Sequence, residues 1–170
     1  LMAGVDKTIA MGVAHPDSLV IMGGSYGGYM TAYAVTQTDR FVAANMFMGI
    51  SNLISDIGTS DNSDWDVAHM GGPYWNNLET YEKNSPIYHV DNVSTPTLVM
   101  HGAKDKRVPV SQGREFYRAL KRQDVETEMI IFPRMAHGWN EPKYLIKIAN
   151  ETIDWFDEQL GRDQETLDSE

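Results

Sequence analysis

The chain has no cysteine among its 170 residues. A disulfide scaffold, a thiolate zinc site and a cysteine nucleophile are therefore excluded. No apolar run approaches the roughly 20 residues that a membrane-crossing helix needs. Positive charge is scarce: 14 lysines and arginines face 24 aspartates and glutamates, a net charge of −10. This balance disfavours nucleic acid and anionic membrane as partners, because both recruit cationic surfaces. Metal-ligand spacing is missing around His15, His69 and His89. Asp61, Asp64 and Asp66 lack the glycine and terminal glutamate of a calcium loop, and read as a solvated acidic loop. No metal and no cofactor is implied. What remains is 42% apolar residues, enough for one core, without repeats or low-complexity tracts.

The most telling stretch present is Gly23-Gly24-Ser25-Tyr26-Gly27, which reads G-x-S-x-G. It follows the apolar run Leu19–Met22 and precedes a predicted helix from Tyr26 to about Gln37. Glycines on both sides of a serine permit a tight turn that pushes the hydroxyl out of a sheet. This is the pattern of the nucleophile elbow of α/β-hydrolases. The competing reading is a glycine-rich turn with an idle serine.

A serine hydroxyl is a weak nucleophile until a base takes its proton, and the base must be held by a third group. In that fold the chain order is serine, acid, histidine. Asp105 follows the apolar run Thr97–Met100, and His137 follows Ile130-Ile131-Phe132 after a short loop. Ser25, Asp105 and His137 therefore each come just after a predicted strand, in the required order. Strand ends of a parallel sheet share one rim, so the three positions can meet.

With these residues in view the sequence resembles the prolyl oligopeptidase family of serine peptidases, closest to its acylaminoacyl-peptidase and dipeptidyl-peptidase-like branch. The resemblance rests on Gly24-Ser25-Tyr26-Gly27-Gly28-Tyr29-Met30, on His101-Gly102 with Asp105, Arg107, Val108 and Pro109, and on Phe132-Pro133 with His137-Gly138. Gly71-Gly72-Pro73-Tyr74-Trp75 and Tyr81 with Ser85-Pro86 add to it. It runs from about Val5 to about Leu160. It implies the C-terminal portion of an α/β-hydrolase fold, a mostly parallel sheet flanked by helices, over residues 1–160. It implies Ser25 as nucleophile, His137 as base and Asp105 as the acid that orients it. The backbone N–H of Tyr26 would serve the oxyanion, and the substrate would be a peptide.

The fold normally places several strands before its elbow, and the resembled family adds a β-propeller. A serine at position 25 leaves room for neither. The chain is therefore expected to be part of a longer catalytic domain. A second oxyanion donor would lie upstream of Leu1, and an unpaired strand edge would invite self-association or pairing with the missing segment. A weak or inactive isolated chain is expected on this ground. A cytoplasmic location is the accompanying expectation.

The other elements read more simply. Residues 1–14 are a predicted helix with Met2, Val5, Ile9 and Val13 on one face. Val42–Met48 is a buried strand, and its unbroken apolar character suits a sheet covered on both faces. Val110–Arg122 is a helix with Val110, Phe116 and Leu120 inward. A last helix starts near Pro142, with Leu145, Ile148, Ala149, Thr152, Phe156 and Leu160 as its packing stripe. Gly161 ends it, and 161–170 is an acidic tail of low order. Residues 51–90 are less regular. Trp65, Tyr74 and Trp75 there are core or pocket wall, and with Tyr26 and Val108 they are the candidates for a substrate pocket. His101 is expected to shape the loop that holds Asp105. Three functions remain open at this point: a serine peptidase, a carboxylesterase-like hydrolase with the same triad, or an inactive fragment.

Overall fold

In the computed structural model, which describes residues 1–138 and 141–162, four strands form one parallel sheet in the order β1-β2-β3-β4. The strands are β1 (Val20–Gly24), β2 (Ala43–Phe47), β3 (Thr97–Gly102) and β4 (Thr127–Phe132). Adjacent strands pair in register, with Gly24 opposite Phe47, Phe47 opposite Met100 and Gly102 opposite Phe132. Seven helices are described: α1 (Met2–Ala10), α2 (Tyr26–Val35), α3 (Leu53–Thr59), α4 (Ser63–His69), α5 (Leu78–Asn84), α6 (Val110–Arg122) and α7 (Pro142–Gln159). Two 3₁₀ segments, Tyr74–Asn76 and Pro86–Asn92, complete the irregular region. None of these helices is long and apolar enough to cross a membrane.

β2 shows why its sequence is apolar throughout. All five residues are buried, because successive side chains point to opposite covered faces. Ala44 and Met46 join Ala32 and Val35 of α2, Val99 of β3, and Phe116 and Leu120 of α6. Ala43 and Phe47 join Leu98, Met100 and Phe132, and Ile148 and Trp155 of α7. Asn45, on this second face, donates from its amide to Thr152 Oγ1 at 2.8 Å and ties α7 to the sheet. Phe116 is fully buried. Removing a side chain of that size from water contributes about 1.5–3 kcal/mol.

Two expectations need correction. α1 stops at Ala10 because Gly12, at φ 71°, turns the chain, so Val13 is left 72% exposed and off the helical face. Met2, Val5 and Ile9 do pack, against Leu19, Ala34 and Phe41. The stripe of α7 is rotated from the one read in the sequence. Leu145 and Ala149 are exposed, while Ile148, Thr152 and Trp155 are buried with Tyr144 and Phe156 beside them. Two large aromatic rings bury more area than Leu145 and Ala149 together, and they set which face turns inward. Gly161, at φ 65°, closes the helix. The tail expected over 161–170 falls outside the described residues from 163 onward.

Candidate active site

Three loops at one end of the sheet carry the site. The first is the turn from β1 into α2. Ser25 holds φ 59° and ψ −121°, a left-handed conformation unusual for a residue with a side chain. Such strain costs on the order of 1–3 kcal/mol and persists only where the surroundings enforce it. Here they do: Ser25 N–H donates to Phe47 O at 3.1 Å. A Cβ on Gly23 would lie 2.4 Å from Gly27 O, and one on Gly28 would lie 2.6 Å from Phe47 O. Only glycine at these positions lets the turn close so tightly against β2.

The second loop leaves β3. Asp105 is buried, and its Oδ1 accepts from the N–H groups of Arg107 and Val108, both at 3.0 Å. His101, fully buried, donates from Nε2 to Val108 O at 2.8 Å and so fixes the far side of the same loop. Burial holds the His101 pKa below its ordinary value, outweighing the opposing Val108 and Asp105 contributions. Its imidazole is a neutral strut. The third loop leaves β4 and is laced to the second by Lys104 N–H donating to Met135 O at 2.9 Å. Gly102 is what allows the approach, since a Cβ there would meet Met135 O at 2.4 Å.

These constraints bring Ser25, His137 and Asp105 into one hydrogen-bonded chain. Ser25 Oγ lies 2.9 Å from His137 Nε2, and His137 Nδ1 lies 2.7 Å from Asp105 Oδ2. Asp105 accepts at Nδ1–H, which leaves Nε2 with its lone pair toward the serine hydroxyl. An imidazole so oriented can take the proton of Ser25 and be stabilised as imidazolium by the carboxylate. The N–H of Tyr26 opens α2, where it has no partner inside the helix and is free to meet a developing oxyanion.

A cavity of about 210 Å³ begins at Ser25 and His137. Its size suits one substrate side chain more than a whole ligand. Of the pocket candidates, Tyr26, Trp65 and Val108 line it. Tyr26 meets Trp65 edge-on with ring centroids 5.7 Å apart, and Trp65 stacks on His69 at 4.0 Å. Tyr74 packs instead into the core under the cavity with Leu53, Tyr81 and Val108. Trp75 is 69% exposed and lies outside both, because Pro73 starts a separate 3₁₀ turn that points it to solvent.

The cavity also holds two residues that the sequence reading did not place there. Asp66 is not part of a solvated loop: it is buried on the inner face of α4. Asp56, on α3, is equally buried. The spacing Leu53-x-x-Asp56 held the signal, since residues three apart share a helix face and Leu53 is core. The two carboxyls are hydrogen-bonded to each other. Burial, then the proximity of Asp66, pushes the Asp56 carboxyl up to about 8, with Asp105 and Glu115 adding to the rise. Asp56 thus keeps its proton at neutral pH and donates it to Asp66.

This has a consequence for stability. A carboxyl whose pKa rises from 3.8 to about 8 on folding favours the fold only while protonated. Its contribution is complete below pH 3.8 and is lost as pH rises through about 8. Asp56→Asn, neutral throughout, removes that part of the decline. Its Tm is expected to exceed that of the parent at pH 8, by the equivalent of about 1–3 kcal/mol, and to match it near pH 4. A Tm difference independent of pH would contradict the assignment.

The sequence profile of the prolyl oligopeptidase family matches residues 1–163. The chain belongs to that family. Among prolyl oligopeptidase family proteins, it is 37% identical to an acylamino-acid-releasing enzyme of Arabidopsis thaliana over 151 residues, 84% of this chain and 20% of that enzyme. It is also 37% identical to an uncharacterized peptidase of Bacillus subtilis, YuxL, over 94% of this chain and 25% of the relative. Acylaminoacyl peptidase from Pyrococcus horikoshii superposes with a TM-score of 0.88 at 32% identity, covering 94% of this chain and 27% of that one. A puromycin-hydrolyzing peptidase of Mycobacterium tuberculosis gives 0.89 at 29% identity, covering 95% and 25%. The chain thus spans between a fifth and just over a quarter of these relatives' length.

Proposed function

We propose that this family member acts as a serine peptidase on short peptides, with Ser25 as nucleophile, His137 as general base and acid, and Asp105 as the group that orients the imidazole. The observation that carries this reading is the unbroken hydrogen-bond chain from Ser25 Oγ through His137 to Asp105. In the first half-reaction Oγ attacks the carbonyl carbon while its proton passes to Nε2. The tetrahedral oxyanion is met by the Tyr26 N–H. Nε2 then delivers the proton to the leaving amine, the C–N bond breaks, and the acyl group remains as an ester on Ser25. Water attacks that ester, giving its proton to Nε2. The acid product leaves and Ser25 recovers its proton. Asp105 stays ionised throughout.

An ester hydrolase would use the same triad, so the substrate decides between the two. The acylamino-acid-releasing and acylaminoacyl names of the relatives support peptides with a blocked amino end. Turnover of acetyl-aminoacyl nitroanilides and of simple acyl nitrophenyl esters is the direct comparison. Hydrolysis of the anilides with a saturable rate supports the peptidase. Ester cleavage with no anilide cleavage overturns it in favour of a carboxylesterase-like enzyme.

A further inference from the structure

The Asp56–Asp66 pair has no part in the proton transfers of the triad, yet it occupies the cavity that begins at Ser25 and His137. It is an expensive thing to bury. Asp56 is 2% exposed and Asp66 1%, and in each the Oδ1 is shielded from solvent and meets no N–H or O–H of another described residue. The pair bonds only within itself. Burial raises the Asp66 carboxyl too, while its bond to Asp56 and the proximity of His69 draw it down. Any charge the pair carries has no ion-pair partner among the described residues, and a buried charge so placed is strongly unfavourable. Structures that keep such a group generally put it to use at a site.

The cation nearest to hand does not neutralise it. Arg107 lines the same cavity, but its Nε donates to Asp61 Oδ1 at 2.6 Å, so its charge is already matched at the rim. His69 stacks on Trp65 and turns Nδ1 to Trp65 O at 2.8 Å; it exerts a Coulombic pull on Asp66 but makes no ion pair with it. The interior of the cavity therefore holds two buried carboxyls that no cation among the described residues pairs with directly, behind apolar walls made by Trp65 and Val108.

The chemistry of acyl transfer says what reaches this place. When Ser25 attacks a carbonyl, the side chain of the residue bearing that carbonyl is the substrate group nearest the nucleophile, and the cavity beside Ser25 is where it must go. A chain of methylenes would lie against Trp65 and Val108 while its end met the carboxyls, as long basic side chains do when they bury their stems. We propose that Asp56 and Asp66 are the specificity-determining pair of this subsite, and that they select a substrate whose residue at the attacked carbonyl is basic, lysine or arginine. This rests on the serine peptidase reading above, and the test separates the two.

Lysine and norleucine make the sharpest comparison, because their side chains differ only by the terminal ammonium. Acetyl-aminoalkyl diphenyl phosphonates carrying each side chain phosphonylate an active serine irreversibly, Oγ bonding to phosphorus as phenoxide leaves, and their second-order rates report subsite fit. A fluorophosphonate with no side chain reports the nucleophile alone. The lysine-like probe is expected to react with Ser25 about 10–100 times faster than the norleucine-like one, the range of a hydrogen bond to a charged group. In the double variant Asp56→Asn, Asp66→Asn the charge is gone at constant shape, and the ratio is expected to fall to about one or below. Asp56→Leu, Asp66→Leu is expected to favour norleucine. Should the variants not fold, the ratio in the unmodified protein decides alone. A ratio at or below one there, with fluorophosphonate labelling intact, overturns the proposal and leaves the peptidase standing. A ratio above ten that persists in the folded double variant also overturns it. Failure of the fluorophosphonate to label Ser25 overturns the catalytic reading, and this proposal with it.

Discussion

Ser25→Ala is expected to lower kcat on acetyl-aminoacyl nitroanilides by on the order of 10⁶-fold, the loss seen when a triad nucleophile is removed. The residual rate over water would come from the oxyanion donor and from binding, which the substitution leaves in place. KM should change little, since Oγ contributes to the transition state and not to substrate binding. Labelling by a fluorophosphonate should disappear entirely. Alanine keeps a Cβ at φ 59°, so the backbone strain of the turn is neither relieved nor worsened. The Tm should therefore stay close to that of the parent, which separates chemistry from folding. Labelling that survives the change would place the nucleophile elsewhere in the chain.

Asp105→Asn is expected to cost about 10⁴-fold in kcat, by a different route. Asp105 Oδ1 accepts from the N–H groups of Arg107 and Val108. An asparagine must keep its carbonyl oxygen there, because an NH₂ facing two N–H groups would leave three donors without an acceptor. The amide NH₂ then faces His137 Nδ1, which can meet it only as an acceptor. The imidazole is driven to the tautomer with its proton on Nε2, pointing at Ser25 Oγ. A base that already holds its proton cannot take another from the serine. The signature is a large fall in kcat with fold and KM retained. A loss of less than tenfold would show that Asp105 does not set the tautomer.

The Asp56–Asp66 pair ties these kinetics to stability. Its raised carboxyl weakens the fold as pH rises toward 8, while the same buried charge is what a basic substrate side chain would meet. A binding site that costs folding energy is a common trade in enzymes. Asp105 and Glu115 raise the Asp56 carboxyl further, so the pair lies within electrostatic reach of the triad itself.

The sequence by itself determined the order and type of the main elements around the site. Strand, elbow and helix at Leu19–Gln37 were legible because glycine spacing and an unbroken apolar run each have one cheap conformational reading. Asp105 and His137 were legible because each follows a strand, and strand ends of a parallel sheet share a rim. Helix α6 was legible over its whole length, Val110–Arg122. Tertiary structure alone decided which faces turned inward where the pattern was ambiguous. Trp155 displaced Leu145 and Ala149 from the buried face of α7 because ring area outweighs small apolar side chains. Trp75 went to solvent while Trp65 went to the cavity, although both sit in one aromatic-rich stretch. Most of all, Asp66 read as part of a solvated acidic loop, and Asp56 was not among the candidate residues. A charged residue is assigned to solvent by its own hydration energy, and only the packing of α3 against α4 brings two of them together where one proton can serve both.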